Sequence, residues 1–172
     1  MAERYVLALG SNRRHVRHGR PERVIAAAID ALRRAGVHVV ASSRTERSRP
    51  VGPSRRDFAN SAILIETTRL PGDLLDLLQT TERAFGRVQQ GQSWSARVLD
   101  LDVVLWSGGC WAGAALVIPH VSWRRRLFVT RPVREVARHW RDPLTGLSVA
   151  QTHARLTRPR ALPKSPPVRP RG

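Results

Sequence analysis

Tyr5-Val6-Leu7-Ala8-Leu9 is a short apolar run that stops at Gly10-Ser11-Asn12. A run of that length, closed by turn-forming residues, predicts a buried strand and a turn. A slower rhythm begins at Pro21, where Val24, Ala27, Ala28, Ala31 and Leu32 recur at helical spacing. Proline suits a first helical turn and Gly36 a stop, so a helix is expected between them. Residues 37–43 read as a second strand and 58–66 as a third. A second helix is expected over 71–85, carrying Leu74, Leu75, Leu77 and Leu78. Residues 99–106 read as a fourth strand, 108–113 as a turn and 116–119 as a brief extended piece. A last helix is expected over 131–140.

Between these elements the pattern breaks twice. Residues 44–56 are rich in arginine, serine, proline and glycine, and predict an exposed, mobile loop. Residues 87–96 have little apolar content and hold Trp94, so a second long loop is expected. From 158 onward the chain is mostly proline and basic residues, which predicts a disordered tail. The expected division is therefore a domain over 1–157 and a tail over 158–172. The order strand, helix, strand, strand, helix, strand is the split βαβ arrangement. It predicts an α+β, ferredoxin-like fold: an antiparallel sheet with helices packed on one side, and long catalytic loops. Many unrelated proteins share that fold, so function has to come from particular residues.

Composition changes the picture in one respect. Across 172 residues, 30 Lys+Arg stand against 13 Asp+Glu, a formal charge of +17. Lys164 is the only lysine. Arginine donates paired hydrogen bonds to phosphate, so nucleic acid, acidic membranes and phosphorylated small molecules are all suitable partners. An arginine-rich proteome would give the same charge with solvated side chains. The lone Cys110 excludes an internal disulfide and a cysteine-based metal cluster, which fits a reducing cytoplasm. No segment reaches membrane-spanning length without charges.

The richest chemistry lies in Leu99-Asp100-Leu101-Asp102-Val103. On a strand, Asp100 and Asp102 share one face while Leu99, Leu101 and Val103 share the other. Neighbouring carboxylates repel, and a hard cation such as magnesium, shared with substrate phosphates, removes the penalty. Two solvated aspartates on a half-exposed strand satisfy the same spacing. Pro119-His120, followed by Arg124-Arg125-Arg126 and Phe128, suits a grip on polyphosphate, or is a basic surface turn. Phe58 and Asn60 follow the loop Pro50-Val51-Gly52-Pro53; they suit a flat heterocycle, or a core ring beside a turn amide. His15 and His18 have metal-site spacing but no carboxylates nearby, which favours a solvated loop. No Walker loop, dinucleotide fingerprint or nucleophile elbow is present.

Taken in order, these pieces resemble 6-hydroxymethyl-7,8-dihydropterin pyrophosphokinase of folate biosynthesis. The resemblance runs from about Tyr5 to Trp140. It rests on Leu9-Gly10-Ser11-Asn12, the stretch 47–53, Asp57-Phe58-Ala59-Asn60, Gln79 with Glu82, Gly86-Arg87, Trp94, the stretch 97–102, Pro119-His120, and Arg126 with Phe128. It implies that ATP gives its pyrophosphoryl group to the pterin hydroxymethyl oxygen and that AMP leaves. It further implies that Asp100 and Asp102 coordinate two magnesium ions and that Arg87 and Arg97 close over the phosphates. Phe58 and Phe128 would sandwich the pterin, with Ser48, Val51 and Asn60 completing its pocket. Gln79, Glu82, Trp94, His120 and Arg126 would bind ATP. The chain departs from the family at Gln89-Gln90-Gly91-Gln92-Ser93, Ser95-Ala96, Ala115, Val121 and Arg13, departures that bear on loop closure and rate.

Two other readings stand beside this one. A basic ferredoxin-like module could bind RNA, but it would show aromatics on central strands, where this chain shows two aspartates. A degenerate family member would bind pterin or nucleotide without turnover. The expectation is a cytoplasmic monomer acting on small molecules, with no membrane and no nucleic acid as partner.

Overall fold

The computed structural model describes residues 2–48, 58–86 and 98–159. The elements run β1 (Glu3–Ser11), α1 (Pro21–Arg34), β2 (His38–Ser42), β3 (Glu46–Ser48), β4 (Phe58–Thr67), α2 (Pro71–Ala84) and β5 (Asp100–Trp106). A small hairpin follows, β6 (Trp111–Ala112) with β7 (Val117–Ile118). A 3-10 turn (Trp123–Arg125) then leads into α3 (Leu127–Ala137) and α4 (Val149–Thr157). The order through β5 follows the expected split βαβ plan. The sheet is antiparallel in the order β2-β4-β1-β5, with β3 also paired to β4.

Strand alternation builds two cores. Tyr5, Leu7 and Leu9 of β1 face α1 and α2, where they meet Val24, Ala28, Leu32, Leu74 and Leu78. Val6 faces the other way, with Ala62, Val104, Leu105, Trp123, Val129 and Val133. Helices therefore cover both faces of the sheet, not one side as expected. The physical reason is the apolar face of α3: Val129, Val133 and Ala137 recur at helical spacing and are buried against the second face.

Three other differences are local. Residues 46–48 pair with β4 rather than running free in a loop. The last sheet-packed helix runs over 127–137, earlier than expected, and contains Pro132. α4 was not expected at all. It begins with a capping box in which Ser148 Oγ accepts from Gln151 N–H at 3.1 Å and Gln151 Oε1 accepts from Ser148 N–H at 2.9 Å. Among the described residues no helix is long and apolar enough to cross a membrane.

Candidate functional site

Gly10, near the end of β1, pairs with Asn60 on β4 and with Asp100 on β5. Two residues back, Ala8 pairs with Ala62 and Asp102. Paired residues in an antiparallel sheet share a face. Asn60, Asp100 and Asp102 therefore project from the same side of the sheet, the side that carries α3. Leu101 between the two aspartates points into the opposite core. Asp100 and Asp102 are both half-buried. Phe58, two residues before Asn60, shares its alternation.

The amide of Asn60 is buried and oriented. Its Nδ2 donates to Ser48 Oγ at 2.7 Å, which ties β4 to β3. Ser48, Asn60, Phe128, Arg47, Glu46 and Arg131 line a cavity of about 210 Å³. Arg131 Nη1 donates to Glu46 Oε2 at 3.2 Å across this cavity's rim. Phe128, in the first turn of α3, is half-buried against the second core. The Arg126 guanidinium carbon sits 5.9 Å from its ring centre, within cation–π range. A larger open cleft of about 540 Å³ also borders Arg47 and takes in Phe58, Asn12, Arg13 and Arg14.

β3 and the segment leading into it are held by charge pairs. Arg47 Nε donates to Glu22 Oε1 of α1 at 2.7 Å, and Arg44 Nη2 donates to Glu135 Oε1 of α3 at 3.1 Å. The Glu22 carboxyl lies below its ordinary value, chiefly because its own backbone N–H bonds it and secondly because of Arg47. Glu135 lies below its own for a similar reason, bonded first by the Arg44 N–H and then by its guanidinium.

His120 reaches the site from the loop after β7, following a cis Ile118–Pro119 bond. Its backbone N–H donates to Val104 O at 3.1 Å, fastening the loop to β5. Its Nδ1 accepts from Ser122 N–H at 3.2 Å, so in the neutral ring the proton sits on Nε2. That nitrogen lies 3.9 Å from Asp102 Oδ2.

Other expected residues sit on other elements. Gln79 is exposed on α2. Glu82, expected to contact ATP, has its carboxylate turned inward: the residue is 2% exposed and Oε1 accepts from Leu101 N–H at 2.8 Å. Arg124, expected among the phosphate-gripping arginines, is committed to Asp142. Both its Nε and its Nη2 donate to that fully buried carboxylate, the latter at 2.7 Å. His15 and His18 pack against each other. Their rings stack on each other at 4.7 Å, and His18 stacks on Phe85 at 5.0 Å. Val51, Arg87, Trp94 and Arg97 lie outside the described residues, as does nearly all of the tail.

Sequence reasoning missed the Arg124–Asp142 pair and the ion pairs of β3. No local signal joins residues so far apart in the chain. α4 did carry one, the Ser148-to-Gln151 spacing of a capping box.

A magnesium ion suits this arrangement. Among the described residues no group of three or more histidine, cysteine or carboxylate side chains could hold a metal. Magnesium needs only one or two carboxylates when waters and substrate phosphates complete its shell. Asp100 and Asp102, half-buried on one face, supply that number.

Residues 6–138 match the family model described as 7,8-dihydro-6-hydroxymethylpterin-pyrophosphokinase. The chain is similar to 2-amino-4-hydroxy-6-hydroxymethyldihydropteridine pyrophosphokinases of several bacteria. It is 37% identical to that of Methylorubrum extorquens over 78% of this chain and 82% of the relative. It is 36% identical to that of Pseudomonas aeruginosa over 83% of this chain and 86% of the relative. With the Synechocystis protein it shares 35% identity over 68% of this chain, and the match spans 60% of that relative's length. The crystal structure of Plasmodium falciparum HPPK-DHPS with pteroate superposes at a TM-score of 0.64, with 10% identity, over 90% of this chain and 42% of that one. That likeness concerns the fold.

Proposed function

The chain belongs to the 7,8-dihydro-6-hydroxymethylpterin-pyrophosphokinase family, and we propose that it transfers the pyrophosphoryl group of ATP to 6-hydroxymethyl-7,8-dihydropterin. The hydroxymethyl oxygen attacks the β-phosphorus of ATP. A new oxygen–phosphorus bond forms as the bridge from the α-phosphate to the β-phosphorus breaks. AMP leaves with the electron pair, the hydroxyl proton is lost to solvent, and the pterin diphosphate remains. It is an enzyme of folate synthesis with ATP as co-substrate.

The observation that carries this reading is the row Asn60–Gly10–Asp100. It sets a buried, oriented amide and a pair of carboxylates on one face, beside a cavity that Phe128 lines. In this assignment Asn60 and Ser48 present hydrogen-bonding groups to the ring edge, while Phe58 and Phe128 take its two faces. Asp100 and Asp102 would hold two magnesium ions, whose charge would offset that of the phosphate oxygens. Arg126 and His120 lie toward the ATP side, with Gln79 further along α2. Arg87 and Arg97 are assigned to the transferring group, Trp94 to the nucleotide and Val51 to the pterin. Transfer of this kind needs alignment and charge balance rather than a covalent nucleophile, and none is assigned. The setting is a monomer in the cytoplasm.

The test mixes purified protein with ATP, magnesium and the hydroxymethyl-dihydropterin and follows AMP. Wild type should form AMP only when the pterin is present. Asp100→Ala and Asp102→Ala should each lower turnover by orders of magnitude with the thermal midpoint little changed. Either variant running near the wild-type rate would remove the metal assignment. Tight RNA binding with no AMP would replace the enzyme by a nucleic-acid module.

A further inference from the structure

Glu82 sits in the last turn of α2 and is 2% exposed. Burying a carboxylate is unfavourable unless hydrogen bonds compensate it. Its Oε1 accepts the backbone N–H of Leu101 at 2.8 Å, a bond between buried residues. Leu101 is the residue between Asp100 and Asp102. On its other edge β5 is laddered to β1, with Leu101 opposite Leu9. The backbone between the two aspartates is thus held by β1 from one side and by a charged acceptor on α2 from the other. Charge-assisted bonds of this kind are short and strong compared with neutral ones.

We infer that Glu82 is a positioning residue: it fixes the β5 backbone at Leu101 and so sets the direction in which Asp100 and Asp102 present their carboxylates to magnesium. The inference rests on the metal reading of those two aspartates given above. It moves Glu82 from contact with the nucleotide to the support of its metal site. Leu101 also anchors its side chain in the first core, which gives the clamp a rigid base. Groups that orient metal ligands from behind typically change metal affinity or activity about 10- to 100-fold when removed.

Three variants decide the matter. Glu82→Ala removes the acceptor. Glu82→Met removes it while filling the volume, and serves if the alanine variant does not fold. Glu82→Gln keeps an acceptor oxygen. Amide exchange at Leu101 is read by ¹⁵N NMR, Mn²⁺ binding by electron paramagnetic resonance, and ATP affinity by calorimetry. In Ala or Met, Leu101 exchange should accelerate and Mn²⁺ binding weaken about tenfold or more. The magnesium needed for half-maximal AMP formation should rise in step. ATP affinity without metal should stay within about twofold, and Gln should recover most of both effects. Unchanged Leu101 exchange, or a loss confined to ATP affinity, overturns the inference. If wild type forms no AMP, the enzymatic reading falls; exchange and Mn²⁺ binding still decide what Glu82 does.

Discussion

Asn60 and Asp100 flank Gly10 in a single cross-strand row, and a Cβ placed on Gly10 would lie 3.9 Å from each of their side chains. The glycine keeps a gap between the amide that would read the pterin edge and a carboxylate that would hold the metal. A single added carbon there meets only ordinary contact. A branched side chain carries further atoms into the gap, where the reacting hydroxymethyl group would lie.

Gly10→Val tests that gap. Valine suits a strand, so the fold should persist and the thermal midpoint should shift by only a few degrees. Turnover should fall by about tenfold or more, because misplacing reacting groups by about 1 Å is costly. AMP formation under saturating substrates and a thermal melt measure the two. Wild-type kcat in a folded Gly10→Val protein would mean that the reacting group lies elsewhere.

Phe128 should matter to one substrate more than the other. Its ring lines the small cavity with Ser48 and Asn60 and rests on the second core. Stacking adds about 0.5–1.5 kcal/mol beyond the area buried, so Phe128→Ala should weaken pterin binding about tenfold. ATP binding should change much less. Calorimetric titration with each ligand separates the two, and equal losses would argue against a stacking role.

Much of this arrangement is legible in the sequence. Residues 5–9, 62–65 and 103–105 are apolar on both faces because helices cover both, and that density marks the runs that contain them as strands. The alternation of Asp100, Leu101 and Asp102 placed both carboxylates on one face through geometry that a strand cannot avoid. Glu82 and Arg124 were harder. Their residue types suit phosphate or nucleotide contact on a surface, and only burial by distant elements turns them inward. Asp142 lies 18 residues from Arg124 and Leu101 lies 19 from Glu82, so no local spacing joins either pair. The start of α3 at Leu127 is hidden from a propensity reading by Pro132 inside the helix.

Asp142 should be indispensable to the turn that delivers Arg126 and Phe128. Besides Arg124, its carboxylate accepts from Leu144 N–H at 3.1 Å and Thr145 Oγ1 at 2.8 Å. Burial pushes this carboxyl up, yet bonds from Arg124, Thr145 and Leu144 outweigh it and hold the group below its ordinary 3.8. A depressed carboxyl stabilises the fold above its ordinary value, and that contribution is lost as pH falls through the depressed one. Asp142→Ala leaves Arg124 without its partner and should cost about 3–5 kcal/mol, seen as a large drop in urea midpoint at neutral pH. A shift under about 1 kcal/mol would mean that the turn is held by its other contacts.

His153 joins α4 to α3 and should make the stability of that pair depend on pH. The residue is 7% exposed, and its Nδ1 lies 3.1 Å from Thr130 Oγ1, which is fully buried. Burial lowers the imidazole below its ordinary 6.5, and the cations Arg134 and Arg131 lower it further, against a smaller opposing effect of Glu46. The unfolded chain therefore takes up a proton near 6.5 that the folded chain refuses until a lower pH. Stability from this group is complete above 6.5 and declines as pH drops from there toward the folded value. Other groups titrate over the same range, so the comparison must be between variants. His153→Gln retains a polar contact to Thr130 but cannot charge. The wild type should be the more stable protein at pH 7.5, and its advantage over His153→Gln should shrink steadily down to pH 5. Thermal midpoints of the two proteins, measured across that interval, check it. A constant difference would show that His153 keeps the same protonation state in the folded and unfolded chains, contrary to the burial that the Thr130 contact records.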